Sequence, residues 1–304
     1  MKKDFLSIRD FTSEEIVKTF DLAVAMKADR AKFSAALKGK MLALIFEKPS
    51  LRTRVTFDVG IQQLGGYSIT LLPADINLGK RESVYDIAKN LERMVQGIMI
   101  RTFAHQIVLD MSKFASIPII NGLTDYSHPC QAMADYFTVR EVKGTLKGLK
   151  LCYVGDGNNV AHSLMFAGAR LGVNVTIACP EGHMPRPQAI EHAREDAQRT
   201  GATIEIVHDP VAGVKGADVV YTDVWASMGQ ESEAEARKKV FLPFQVNGKL
   251  MAHANSDAIF LHCLPAHRGE EVTDEVIDSP SSVVFQEAEN RLHVQKAIMY
   301  QLMK

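Results

Sequence analysis

The sequence predicts an α/β protein of two doubly wound domains, each a parallel sheet with helices on both faces. Short apolar runs such as Met41–Phe46, Gly97–Arg101 and Leu151–Val154 alternate with longer helix-like stretches. That is the pattern of strands buried on both faces and joined by helical crossovers. The alternation runs once, is interrupted by the polar, glycine-containing Thr145–Lys150, and starts again. With 304 residues and 46% hydrophobic composition, the chain has material for about two sizeable cores. The boundary is therefore placed to give domains 1–144 and 145–304.

In chain order, Thr12 with Glu15 reads as a capping box opening a helix through about Ala36, and Gly39 punctuates before the strand Met41–Phe46. A helix over Leu51–Leu64 ends at Gly65-Gly66, and a short strand, Tyr67–Leu72, follows. A polar loop with Asn77 and Gly79 leads into a helix over Ser83–Met94, then strands at Gly97–Arg101 and Ile117–Ile120. Pro129 suits the first position of a helix that ends near Val142. The second series has strands at Leu151–Val154, Val173–Ala178, Thr203–Val207, Ala217–Thr222, Ala258–Leu261 and Ser282–Phe285.

A formal charge of -1 with interspersed acids and bases excludes the basic stripe of a nucleic-acid binder, so any basic site is local. Four cysteines, Cys130, Cys152, Cys179 and Cys263, stand far apart without zinc spacing, which argues against a structural metal or disulfide framework and fits a reducing cytoplasm. Asp4, Arg9 and Asp10 break up the N-terminus before any signal-like apolar core, and no run approaches the ~18 apolar residues of a membrane span.

Ligands gather beyond the carboxyl ends of parallel strands, and unusual polar residues stand there in this chain. After Phe46 comes Glu-Lys-Pro-Ser-Leu-Arg-Thr-Arg54. A hydroxyl-rich, basic strand-to-helix turn lets backbone N–H groups, Ser50, Thr53 and Arg52 converge on a phosphate; solvated arginines at an ordinary helix start are the alternative. Arg101 ends its strand. In Asp125-Tyr-Ser-His-Pro-Cys-Gln131, His128 precedes a helix as either a cap or a proton-exchanging group, with Gln131 one turn on. Val154-Gly-Asp-Gly-Asn-Asn159 starts like a dinucleotide fingerprint but lacks the third glycine. Asp223-Val-Trp-Ala-Ser-Met-Gly229 offers a carboxylate, a hydroxyl and amides suited to an amino-acid zwitterion, or a capped loop with packed Trp225 and Met228. In Leu261-His-Cys-Leu-Pro-Ala-His-Arg268 the crowded spacing and Pro265 disfavour a tetrahedral metal site, while a cysteine nucleophile stays open.

Taken together and in this order, SLRTR, HPCQ, GDGNN, DVWASMG and HCLPAHR resemble the aspartate/ornithine carbamoyltransferase family over essentially the whole chain. SxRTR and HPxQ belong to the wider family and imply carbamoyl phosphate; the SMG and HCLP motifs are similar to those of its ornithine branch. The resemblance implies that Ser50, Leu51, Arg52 and Thr53 bind the phosphate, and that Arg101, His128 and Gln131 hold the carbamoyl group. It further implies that Asn159, Asp223, Ser227 and Met228 hold the α-amino and α-carboxylate groups of L-ornithine. Cys263 and Leu264 are implied beside the δ-amine and carbamoyl group, with Arg291 in EAENR closing on carbamoyl phosphate. Arg52, Arg101, His128 and Cys263 are the implied catalytic set, without metal or other cofactor. The C-terminal helix is implied to pack back toward the first domain, and the assembly to be a homotrimer, or trimers of higher order, whose sites borrow a loop from the adjacent subunit. Nucleic acid and membrane are not among the implied partners.

Two departures stand out. The family commonly reads STRTR, so Leu51 removes a hydroxyl while its backbone amide survives; Asn77 stands where many members of the family carry Gln in the borrowed loop.

Overall fold

The computed structural model describes residues 2–79, 81–226, 229 and 231–304. The chain divides into two compact units, Met1–Met133 with Glu289–Lys304, and Ala134–Ala288. Its last residues thus belong with the first unit. Two helices, Pro129–Lys143 and Val284–Met303, carry the chain from one unit to the other.

In the first unit β1 (Met41–Phe46), β2 (Tyr67–Leu71), β3 (Gly97–Arg101) and β4 (Ile119–Leu123) form a parallel sheet in the order β2-β1-β3-β4. The chain leaves β1 for β2 on one side and then crosses to β3 on the other, so the topology switches between β1 and β3. Apolar residues occupy every position of β1, and all but its first residue are buried, as a central parallel strand requires. One layer of core joins Ala43, Ile45, Ile98 and Ile100 to Ile87, Val108 and Met111 of the helices Val84–Leu91 and His105–Phe114. In helix Leu51–Gln63, Gly60 faces the C-terminal helix closely: an added Cβ would lie 2.9 Å from Met299 Cε and 3.3 Å from Lys296 Cγ. The C-terminal helix therefore packs closely on the first unit, as the resemblance implies.

The second unit carries β5 (Lys150–Val154), β6 (Asn174–Ala178), β7 (Ile204–Val207), β8 (Val219–Thr222) and β9 (Ile259–His262). Their parallel order, β7-β6-β5-β8-β9, places the switch between β5 and β8. Cys152, Val154, Val220 and Phe260 form a core with Val246, Val272 and Val284. The α/β class and both doubly wound sheets agree with the sequence reading.

Three elements differ. The first helix is Ser13–Ala28, capped by the Thr12/Glu15 box, and stops well before Ala36. None of residues 28–36 is buried, so no apolar face exists to hold a continuation. β4 runs later than Ile117–Ile120, through Asn121 and Gly122, because the Asn121 amide donates to Leu6 O at 2.8 Å inside the fold. The stretch Ser282–Phe285 is not a strand: Ser282 makes one bridge to Phe260, and Val284 already opens the C-terminal helix. Among the described residues no helix is long and apolar enough to cross a membrane.

Candidate functional site

The polar strand ends of each unit gather at its switch point. In the first unit the helix Leu51–Gln63 begins just beyond β1, and Ser50 caps it, its Oγ accepting from Thr53 N at 3.2 Å. Arg52 and Thr53 sit in the first turn, where free N–H groups and the helix dipole favour an anion. Leu51 stands in the same turn with its side chain 73% exposed, so the hydroxyl it lacks would have pointed at solvent. Arg101 closes β3 opposite Phe46 and is buried, its carbonyl accepting from Glu47 N at 2.8 Å.

Arg291 comes from the C-terminal helix. Its Nη1 donates to Gln131 Oε1 at 2.7 Å and its Nη2 to Thr53 Oγ1 at 2.9 Å. Gln295, with its amide turned to satisfy both ends, accepts from the same guanidinium at 3.2 and 3.3 Å and donates to Thr56 Oγ1. The guanidinium is thus fixed, and Thr53, accepting from it, keeps its own proton to donate. Lys48 is buried, pairs with Asp125 at 2.5 Å and lies 4.4 Å from the Phe103 ring centre.

His128 precedes the helix Pro129–Lys143, its carbonyl accepting from Gln131 N and Ala132 N. Burial holds its imidazole well below the usual range, and Arg291, Arg101, Arg52 and Lys48 push it the same way. The ring is therefore neutral near pH 7. Four cations bearing on one buried imidazole make this corner of the first unit strongly electropositive.

The second unit's cluster lies beyond β5, β8 and β9. Asn158 caps the helix Asn159–Leu171, its Oδ1 accepting from Val160 N and Ala161 N at 2.9 and 3.2 Å. This orientation leaves Nδ2 to donate, and it does so to Asp223 Oδ2 at 2.9 Å. Asp223 Oδ1 accepts from Val224 N at 2.8 Å and from Cys263 Sγ at 3.0 Å. Burial raises the Cys263 thiol well above its ordinary value, and the Asp223 carboxylate adds to the effect. Cys263 is thus a protonated donor, not a thiolate nucleophile.

The turn after Cys263 is held from behind. Leu264 adopts a left-handed backbone, φ 57°, and its N–H donates to His262 Nδ1 at 2.8 Å. With Nδ1 accepting, the ring proton is on Nε2 and donates to Glu271 Oε1 at 3.1 Å. Glu271 also accepts from His267 N, and Glu287 accepts from His262 N at 3.0 Å and Tyr221 OH at 3.3 Å. Arg268 is engaged elsewhere, in exposed ion pairs with Asp274 and Asp278.

Of the residues singled out in the sequence, Ser50, Leu51, Arg52, Thr53, Arg101, His128, Gln131 and Arg291 fall in the first unit around its switch point. Asn159, Asp223, Cys263 and Leu264 do so in the second. Asn77 stands apart, closing the short helix Pro73–Ile76 beyond the edge strand β2 with φ 44°. Ser227 and Met228 lie outside the described residues. Sequence reasoning passed over Lys48, Asn158 and Glu271; only the Asn158-Asn159 doublet carried a signal, since a capping Asn belongs at a helix start.

Comparison with known proteins covers both halves. Residues 3–141 match the aspartate/ornithine carbamoyltransferase carbamoyl-P binding domain, and residues 147–302 the Asp/Orn binding domain of the same family. An ornithine carbamoyltransferase of Thermococcus kodakarensis is 58% identical over 299 residues, 98% of this chain and 95% of that protein. The structure of ornithine carbamoyltransferase from Pyrococcus furiosus superposes with a TM-score of 0.97 at 54% identity, covering 99% of this chain and 97% of that one. An acetylornithine transcarbamylase complexed with acetylcitrulline is more distant in sequence, 32% identical with a TM-score of 0.89 over 99% of each chain. Matched along almost all its length by both domain models and by relatives above half identity, the chain belongs to the aspartate/ornithine carbamoyltransferase family.

Proposed function

We propose that the protein is an ornithine carbamoyltransferase, moving the carbamoyl group of carbamoyl phosphate to the δ-amine of L-ornithine to give L-citrulline and phosphate. The observation that carries this reading is the buried, neutral His128 under four cations, because a carbamoyl phosphate dianion needs concentrated positive charge beside an uncharged polarising group. Residues 1–144 hold carbamoyl phosphate and 145–304 hold ornithine, with Arg291 serving the phosphate side. Ser50, Leu51, Arg52 and Thr53 take the phosphate through first-turn amides, the hydroxyls and the guanidinium. Arg101, His128, Gln131 and Thr53 face the carbonyl oxygen, on which negative charge grows as the amine attacks.

At the acceptor end Asn159, Asp223, Ser227 and Met228 hold the α-ammonium and α-carboxylate. Cys263 and Leu264 lie by the δ-amine and carbamoyl group, the protonated thiol orienting rather than attacking. The tetrahedral intermediate collapses with loss of phosphate, which takes the amine proton, so the cycle needs no covalent enzyme adduct. Arg52 and the helix terminus stabilise the leaving dianion.

The protein works as a homotrimer, or as a higher assembly of trimers, in the cytoplasm. Exposed Tyr67 and Ile69 on edge strand β2 support a subunit interface at that edge. Asn77 is the residue lent to the neighbouring site. Four free cysteines support a reducing compartment.

The test offers L-ornithine, N-acetyl-L-ornithine, putrescine and L-aspartate separately with carbamoyl phosphate and measures ureido product. Ornithine is expected to be strongly preferred. Preference for another acceptor overturns the zwitterion assignment, and no product from any overturns the whole reading.

A further inference from the structure

The two loops that frame Asp223 are joined twice, once by a residue that neither binding motif contains. Asp223 itself is held by Asn158, from the loop after β5, at 2.9 Å. Two residues before Asn158, the Asp156 carboxylate pairs with Arg237 Nη2 at 2.7 Å. Two residues after Asp223, the Trp225 carbonyl accepts from Arg237 Nε at 2.6 Å. Following the contacts from Asp156 through Asn158, Asp223, Trp225 and Arg237 leads back to Asp156, a closed ring. Its corners are the ends of β5 and β8, the strands flanking the switch point. Arginine suits this position, since its guanidinium can pair with a carboxylate through Nη2 while Nε donates to a carbonyl.

Asp223, Trp225 and Arg237 of the ring are buried, Asp156 and Asn158 partly so, and the ring is supported from outside. Arg237 is 8% exposed and lies 5.2 Å from the Phe241 ring centre, and Phe241 in turn stacks on Trp225. His183 Nδ1 lies 3.5 Å from Asp156, and Glu233 lies 3.7 Å from Arg237. Gly157 lets the neighbouring loop close over this corner: a Cβ there would sit 2.1 Å from Pro185 N. A buried arginine with a carboxylate and a carbonyl partner has the geometry of a clamp rather than of a solvated helix charge.

We propose that Arg237 is a positioning residue for the acceptor. It locks the loop root at Trp225 to Asp156 and thereby fixes where the Asp223 carboxylate meets the α-ammonium of the amino-acid substrate. The inference rests on the proposed function, in which Asp223 holds ornithine. Arg237 touches no substrate; its effect passes through the loop, so it governs acceptor affinity and leaves the carbamoyl phosphate side alone.

Steady-state kinetics on the full-length protein test it, with KM measured for each substrate at saturating levels of the other. Wild-type turnover with L-ornithine is the first arm, and its failure removes the functional reading itself. In Arg237→Gln and, from the opposite corner, Asp156→Asn, the KM for ornithine is expected to rise about tenfold or more, the scale of one lost charge-assisted hydrogen bond. The KM for carbamoyl phosphate stays within about twofold of wild type. Arg237→Lys, which keeps the charge but not the fork, recovers only part of the loss. The double variant Arg237→Gln/Asp156→Asn is no worse than the poorer single one, because both break the same ring. An unchanged ornithine KM in either single variant, or equal rises for both substrates, overturns the assignment.

Discussion

Arg52 and Cys263 both stand at strand ends, yet their surroundings give them opposite tasks. Arg52 lies in a helix first turn among other cations, where, under the proposed function, a carbamoyl phosphate dianion would supply the compensating charge. If Arg52 holds the leaving phosphate as proposed, replacing it by Ala removes a donor there, and kcat/KM for carbamoyl phosphate is expected to fall roughly 10²- to 10³-fold. A loss under tenfold in a steady-state assay would place the phosphate elsewhere. Cys263 donates to Asp223, and burial keeps its thiol protonated well past neutrality. Cys263→Ala is therefore expected to raise the KM for ornithine several-fold with little change for carbamoyl phosphate, as removal of one orienting hydrogen bond should. The same protonation makes the thiol a poor nucleophile, so iodoacetamide should label native Cys263 slowly at pH 7; labelling as fast as a free thiol contradicts the hydrogen-bonded, protonated donor.

At the scale of elements, the turn after β9 shows what a motif conceals. The order His262-Cys263-Leu264 suggests a chemical role for each residue, but His262 is a brace whose two ring nitrogens hold Leu264 N–H and Glu271. His262→Ala removes the acceptor that steadies a left-handed leucine and leaves a buried carboxylate without its ring partner. A stability loss of about 3 kcal/mol, seen in chemical denaturation, is expected; a loss below ~1 kcal/mol would show that the turn holds itself. Glu271 could not be read from the sequence as this partner, because nothing in local pattern marks which distant acid meets which histidine. Arg237 and Asp156 are likewise 81 positions apart (237 minus 156) and meet only through the sheet. The strands were legible for the converse reason: MLALIF is buried on both faces, and burial on both faces is written in the composition of the strand itself. Where an element mixes signals, local reading fails. Val283-Val284 looks extended but opens the C-terminal helix, and Asn121-Gly122 looks like a turn but completes β4. Arg291 was legible only through family resemblance, since its partners Thr53 and Gln131 lie far away in the chain.

For the molecule as a whole, buried acids with raised ionisation set the alkaline limit of stability, and they are unevenly placed. Burial pushes the thiols of Cys130, Cys152 and Cys179 from 9.0 up to about 12. Tyr136, Tyr153 and Tyr221 are raised above their usual range for the same cause. Apart from Cys130, all of these belong to the second unit. A group whose folded value lies above its unfolded one contributes fully below the unfolded value and loses that contribution as pH climbs toward the folded one. Each buried thiol therefore costs about 1.4 kcal/mol of stability per pH unit above about 9. In the first unit, desolvation lowers Lys296, whose contribution has the other sign: it is weakest at low pH and grows as pH rises, offsetting part of the Cys130 loss. The melting temperature should thus be flat from pH 7 to 8.5 and fall steeply above pH 9. Amide exchange should quicken in the strands of residues 150–222 before those of residues 41–123. Cys152→Ala separates ionisation from packing: the variant starts less stable at neutral pH, having lost a core side chain, but its melting temperature declines less steeply with pH because one titrating group is gone. A parallel decline in variant and wild type, or earlier exchange in the first unit, would show that alkaline unfolding is driven by groups other than these buried thiols and phenols.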